Sequence, residues 1–402
     1  MNIAIHMGRG FPKGSACANR MRVFYEVFKA KGHNVKVLTP EDMGISDGID
    51  ANDVFVCKTY KMKKKTTTSR LKNNLSFAIN SIRASKKIGD IDIVITTSPP
   101  PLISLAGWWI AKRKKAKLVY DVRDIWPDVA IEMGSFSKKS VYYHVFKWIA
   151  RFMYKHSDLI LTVSNGKVKK IQGYVEDKDK VVLCANGLDE KFLNHTVDDG
   201  VVERYNMKGY FNCVYVGNIG LAQGLEQLLV LAEKIQNEKV QFLLFGEGAE
   251  KEKLETLKEE KKLCNVHFFG NVYEKEVFNV LRNAQLSYIP LVNENLRDSI
   301  PTKTYEALGV GCPVLMVAEG DAVSLVEESK LGWSISPAEI EELPILFGKI
   351  INDYENVKNN KEVSINIAKT IHSRQKIVER MIEDLARMVN QDEKCQVVFK
   401  YN

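Results

Sequence analysis

"LSYIPLVNENLRDSIPTKTYEALGVGCPVLMVA", residues 286–318, joins two apolar runs through a polar loop and a helix-sized stretch. "LSYIPL" (286–291) and "PVLMVA" (313–318) read as strands buried on both faces. Pro301 suits a first helical turn, where its missing N–H is not needed. Gly309 or Gly311 can end that helix. Strand, helix, strand predicts a parallel crossover, and ligands of such sheets bind beyond the carboxyl ends of the strands. Asp298, Lys303 and Glu306 fall there. Lys303 and Glu306, three apart, share a face of the first turn. A helix start favours an anion, and a lysine adds a full positive charge. A carboxylate on the same face can accept from two neighbouring hydroxyls, such as a ribose pair. The stretch therefore predicts a nucleotide diphosphate site, with phosphates at the helix start and ribose on Glu306. A capped helix with one Lys–Glu contact is the plainer reading of the same letters.

The strand–helix rhythm extends in both directions. Upstream strands are expected at 2–7, 35–39, 54–60, 92–98, 118–122, 159–164 and 181–187, with an amphipathic helix at 16–30. After the polar stretch 195–212 the rhythm restarts, with strands at 213–219, 241–246, 266–272, 286–291, 313–318 and 332–336. The fold class is α/β: two doubly wound Rossmann-like domains facing a central cleft. The expected domains are 1–195, 196–370 and a helical segment, 371–402, packing back toward the first domain.

The whole chain sets limits on function. At 402 residues, two domains are the natural reading. No apolar run is long enough to span a membrane, and the start "MNIAIHMGRG" lacks the pattern of an export signal. Seven scattered cysteines without a CxxC fit reduced thiols and a cytoplasmic setting, and give no zinc site. Residues 1–195 hold 34 Lys/Arg against 18 Asp/Glu, whereas 196–402 hold 24 against 32. Such a basic half is either a solvated face or a surface for an anionic partner. No nucleic-acid signature accompanies it. "PPPLISLAGWWIA" beside "KRKKAK" favours an anionic membrane surface, since tryptophan prefers that interface. The expected contacts are Lys63, Lys64, Lys65, Trp108 and Trp109, with Lys61, Arg70, Lys72 and Lys112 to Lys117 around them. At the other end of the first half, "HMGRGFPKGSA" (6–16) places Gly8, Gly10, Lys13, Gly14 and Ser15 between a strand and a helix. Its glycines let a ligand approach the backbone, although a lone glycine pattern is weak.

Several motifs in order resemble the retaining glycosyltransferases of family 4, which have the GT-B fold. They are "NGLDEKF" (186–192), "VYVGNIGLAQGLEQLLVLAEKI" (214–235), "LLFGEGAEKEKLE" (243–255), "VHFFGNVYEKEVFNVLRNAQLSYIPL" (266–291) and the Asp298-to-Glu306 stretch. "YDVRDIWPD" (120–128) resembles a bacterial surface-polysaccharide subgroup that includes N-acetylfucosamine-type transferases. The resemblance implies a retaining, metal-independent hexosyl transfer without cofactor. The donor would be a nucleotide sugar, UDP-linked, with UDP-N-acetylfucosamine as the first candidate. The acceptor would be an undecaprenyl-diphosphate-linked saccharide at the inner face of the cell membrane, in capsule, O-antigen or exopolysaccharide synthesis. It assigns catalysis to Asp298, Lys303 and Arg123. Donor binding goes to Glu306, Lys303, Arg297, Thr302, Gly217, Asn218, Gly246, Gly248 and Val272. The loop of Gly10, Lys13, Gly14 and Ser15 is implied to meet phosphate or acceptor.

This sequence departs from the family in four places. Asp298 stands where glutamate is usual, and Pro301 where glycine is frequent. Asn218 and Gln223 replace a common Arg and Lys, which leaves diphosphate charge to Lys303 and Arg297. Arg123 stands where a histidine often meets the donor sugar; it binds phosphate or pairs with Asp124. Rival readings are a nicotinamide-dependent oxidoreductase using Gly8, Gly10 and Gly14, a sugar-nucleotide epimerase on the same fold, and a non-catalytic scaffold. The Asp-x-Asp of a metal-dependent transferase occurs at 90–92, but it leads straight into a strand.

Overall fold

The computed structural model describes residues 1–13, 15–41, 48–62, 64, 66–132, 137–235, 237–291 and 296–390. Among them, β-branched and aromatic runs form thirteen strands in two parallel sheets. The first holds β1 (Asn2–His6), β2 (Asn34–Thr39), β3 (Val54–Val56), β4 (Ile93–Ser98), β5 (Lys117–Val122), β6 (Leu159–Thr162) and β7 (Val181–Leu183), in the order β3-β2-β1-β4-β5-β6-β7. The second holds β8 (Phe211–Val216), β9 (Val240–Phe245), β10 (Val266–Phe269), β11 (Leu286–Pro290), β12 (Val314–Val317) and β13 (Gly332–Ile335), in the order β10-β9-β8-β11-β12-β13. Each order reverses direction once, at β1/β4 and at β8/β11, and such switch points open ligand crevices.

In the first sheet, alternate residues serve opposite faces. Ile3 and Ile5 of β1 pack with α1 (Ala16–Ala30), whereas Ala4 packs on the other side. That other side is covered by α2 (Thr67–Ala84), α3 (Pro101–Lys114) and α4 (Val141–His156) through Phe77, Ile103, Ile110, Ile149 and Met153. The second sheet carries α5 (Glu274–Asn283) and α6 (Thr302–Val310), and the last described helix is α7 (Arg374–Asn390).

The chain divides into two compact units. One is Met1–Ala185 with the residues from Gln375 onward; the other is Asn186–Arg374. The boundary thus lies before Asn186, where the sequence had placed it after residue 195. Leu188 is the reason: it is fully buried in the second unit's core. Its amide donates to His372 O at 2.7 Å, and its carbonyl accepts from Arg374 N at 2.8 Å. α7 contributes Val378, Met381 and Leu385 to the core of the first unit. The strand expected at 54–60 ends at Val56. Beyond Cys57 the backbone bonds to side chains of α2 instead: Tyr60 N donates to Ser76 Oγ, and Asn80 Nδ2 donates to Lys58 O.

His6, at the end of β1, is fully buried between Thr96 Oγ1 and Ser81 Oγ, 3.0 Å from each ring nitrogen. Burial pushes its pKa down to about 3. A lowered folded value means stability is present above the unfolded pKa near 6.5 and is lost as pH falls toward 3. We expect this residue alone to cost about 1.4 kcal/mol per pH unit below pH ~6. Denaturant titrations of wild type and His6→Gln at several pH values check this, since the variant lacks that slope. Parallel pH dependences would refute it.

Candidate active site

The second unit gathers most of the predicted residues at the carboxyl ends of β8, β9 and β11. After β8, Gly217 adopts φ +142, and after β9, Gly246 adopts φ +144, conformations open to glycine. The two turns touch backbone to backbone: a Cβ on Gly246 would collide with the Gly217 carbonyl, and one on Gly248 with Ile219 O. Gly217 N donates to Phe245 O, and Ile219 N to Glu247 O, each at 2.9 Å. Asn218 is exposed at the rim of this turn, and its carbonyl accepts from Tyr215 Oη at 2.6 Å.

α6 begins just after its proline, which the sequence had placed in the first helical turn. Pro301 is the N-cap, no side chain caps the helix, and Gly311 closes it at φ +73. The helix lies tight against the 186–190 segment, because a side chain on Gly309 would strike Leu188. Its first turn carries Thr302, Lys303 and Glu306, all half-buried. The Lys303 ammonium sits 4.1 Å from the centre of the Tyr215 ring, a cation–π contact. It also abuts the Gly217 turn, 3.4 Å from where a Cβ would be.

Neither the Lys303 ammonium nor the Glu306 carboxyl forms a hydrogen bond or ion pair with a described residue. Burial lowers the Lys303 pKa from 10.5 to about 8, with Glu306 opposing. Burial, and then the charge of Glu274 on α5, raises the Glu306 carboxyl to about 7, with Arg374 and Lys303 pulling it back. A half-buried ammonium and carboxylate on one helical turn, both without hydrogen-bond partners, are poised for a ligand that supplies anionic and hydroxyl groups.

The flanking predictions divide. Arg297 pairs with Glu319, whose other oxygen accepts from Ser336 Oγ at 2.7 Å, so a neighbouring loop answers its charge. Asp298 lies half-buried in the turn before α6. Val272, ahead of α5, packs partly into the core. Sequence reasoning missed three residues. Tyr215 lies under Lys303; its signal was its place two residues before Gly217. Glu274 and Arg374 set the field at Glu306. Arg374 is nearly buried and donates to Asn186 O and Gly187 O, a long-range pairing with no local sequence mark.

The first unit holds the other group. Its loop after β1 is pinned: Thr39 Oγ1 donates to Arg9 O at 2.8 Å, and Phe11 N to Glu41 O at 3.1 Å. A side chain on Gly8 would strike Ile103 of α3. Gly10 is half-buried and Lys13 is exposed, whereas Gly14 lies outside the described residues. Ser15 caps α1, its Oγ accepting from Ala18 N at 3.1 Å. Arg123 follows β5 and is half-buried, its Nε enclosed without a partner. It lies close enough to Cys17, on the first turn of α1, to be the main charge opposing the burial that raises that thiol. Asp124 is paired with Lys167, 3.5 Å away, and Lys167 also donates to Arg123 O.

Of the expected membrane contacts, Lys63 and Lys65 lie outside the described residues, and Lys64 is exposed. Trp108 turns toward the core against Phe152, with Lys112 over its ring; Trp109 is exposed.

Two Rossmann-like units, with a cationic helix start beside a glycine turn in the second, have the architecture of GT-B glycosyltransferases. Residues 19–192 match Glycosyltransferase Family 4, and residues 205–369 match Glycosyl transferases group 1, so each half of the chain carries a glycosyltransferase domain. It is 22% identical over 277 residues to the Pseudomonas aeruginosa protein named as a glycosyltransferase, WbjE, covering 68% of each chain. It is 23% identical to an Escherichia coli (strain K12) protein named for colanic acid biosynthesis, the glycosyl transferase WcaI, over 73% of this chain and 77% of that one. Its fold is similar to that of Anabaena HepE in complex with UDP-glucose, at a TM-score of 0.72 and 15% identity, over 96% of this chain and 99% of that one. These similarities favour transfer over the oxidoreductase and epimerase readings.

Proposed function

We propose that this protein moves a sugar from a nucleotide-diphosphate donor, UDP-linked, to a hydroxyl of an undecaprenyl-diphosphate-linked saccharide, with retention at the anomeric carbon. The single observation that carries the donor half is the unpartnered Lys303–Glu306 pair on the first turn of α6. Lys303 and the free amides of that turn neutralise the diphosphate, and Glu306 accepts from the ribose hydroxyls. Thr302 lies on the same turn, and the turn of Gly217 and Asn218, backed by the close-packed Gly246 and Gly248, offers its backbone to the ligand. Val272 borders the base. Asp298 holds sugar hydroxyls and shields the developing cationic ring. As the anomeric bond breaks, the electron pair leaves with the diphosphate. Lys303 and the helix start stabilise that charge. The acceptor oxygen attacks the same face and gives its proton to the departing phosphate, so no base residue is assigned.

Arg123, with its enclosed Nε unpartnered, takes an anionic group of donor or acceptor near the Gly10–Ser15 loop. The UDP-glucose complex of HepE supports the donor class, and the colanic acid name of WcaI supports surface polysaccharide as the product. An N-acetylfucosamine donor and a cytoplasmic, membrane-peripheral location complete the reading.

Because lysine and helix amides supply the positive charge, we expect transfer to continue in excess EDTA. The product, followed by NMR, should keep the donor's anomeric configuration. Activity lost in EDTA and restored by magnesium or manganese would overturn the phosphate assignment. An inverted product would overturn retention.

A further inference from the structure

We propose that the outer surface of the α2–α3–α4 layer is a docking face for a bilayer with anionic headgroups. It rests on the proposed lipid-linked acceptor for its purpose, and it goes beyond the expected contacts at Trp109 and Lys112 to Lys117 by assigning the outer sides of α4 and α2. The core needs only one side of α4: Ile149, Ala150, Met153 and Tyr154 are buried against the sheet. Yet the opposite side is also apolar. Val141, Val145 and Trp148, at four- and three-residue steps, are 75%, 46% and 61% exposed. On α2, Leu75 and Ile79 are likewise exposed, and on α3, Trp109 is.

Aromatic contacts tie the outer side of α4 to α3, through the half-buried Trp108. Trp148 stacks on Phe152, Phe152 stacks on His156, and Trp108 meets Phe152 edge-on at 4.9 Å. Isolated apolar residues on a surface need no explanation, but a set spread over three adjacent helices marks an interaction site. No helix among the described residues is long and apolar enough to cross a membrane, so these helices would lie in the plane of the interface.

Charge identifies the occupant. The three helices hold nine Lys and Arg and no Asp or Glu. A second copy docking through the same face would set cations against cations. Exposed tryptophan among apolar residues, on helices whose own charged side chains are all Lys and Arg and with Asp128 the acidic group beside Tyr143 of α4, is the chemistry of an anionic lipid interface.

Co-sedimentation of the full chain with phosphatidylcholine vesicles, with and without phosphatidylglycerol, tests this. The protein should bind the anionic vesicles at low salt, be released by high salt, and ignore pure phosphatidylcholine. Val145→Ser/Trp148→Ser, at two exposed positions, should lower the partition coefficient at least about tenfold. Arg113→Glu/Lys155→Glu should do the same without touching an apolar side chain. UDP is added to each variant in a thermal melt. A retained UDP shift shows that the second unit is intact, and its absence from the wild type would count against the transferase reading alone. The docking face is refuted if wild type ignores anionic vesicles at low salt, or if both double variants bind like wild type. A dimer that Val145→Ser/Trp148→Ser converts to monomer, without vesicle binding, would refute it in favour of self-association.

Discussion

Lys303→Met lowers turnover of sugar transfer by about a hundred- to a thousandfold, the loss expected when one preorganised donor to a developing anion is removed. Methionine keeps a flexible apolar stem against Tyr215, so the fold should survive and the loss should report the charge. The same charge sets a pH limit. With a pKa near 8, the ammonium of the free enzyme is present below that value and lost above it. Wild-type transfer should therefore decline as pH rises through about 8, and the variant should lack that limb. Steady-state kinetics from pH 6 to 9 (roughly one unit beyond each group) reads both effects. A variant with normal turnover would remove Lys303 from the reaction.

Glu306→Gln should weaken donor binding by about 1–3 kcal/mol, the range for hydrogen bonds to a charged group. Here the limb runs the other way. The carboxyl is held near 7 by burial and Glu274, so the carboxylate form grows as pH rises through that value. Affinity for UDP, measured by calorimetry, should strengthen between about pH 6 and 7.5 in the wild type, and glutamine should flatten that rise. Unchanged affinity in a folded variant would reduce Glu306 to a structural role. Together the two groups leave a window between roughly 7 and 8 in which both charges are present.

The sequence made the pair on α6 legible because its logic is local: three-residue spacing, a proline at the start and a glycine at the end. All thirteen strands were legible for a similar reason, as short runs rich in apolar residues, although the edge strands β3, β10 and β13 are only partly buried. Their ends were not. Residues 184–187, 217–219 and 270–272, read as strand, lie beyond the ends of β7, β8 and β10, and Gly217 turns away where letters alone continue the strand. Long-range pairings were invisible. Arg297 looked like a free cation until Glu319 came to meet it. Residues 186–195 looked continuous with the first domain until Leu188 joined the second core. Adjacent tryptophans read alike, but a helix turns about 100° per residue, so Trp108 faces inward and Trp109 faces outward. The outer side of α4 was missed because apolar residues at helical spacing look like core on either side.

The insertion of one unit within the other has a consequence for synthesis. Val378, Met381 and Leu385 belong to the core of the first unit, yet they leave the ribosome after all of Asn186–Arg374. Domains usually fold in the order in which they are made. Here the nascent first sheet lacks part of its apolar cover until the last helix emerges. The second unit is contiguous in sequence and already has its ends tied by Leu188 and Arg374, so it can finish first. The partly covered strands of the first unit are then the surface that a ribosome-associated chaperone would hold during that interval.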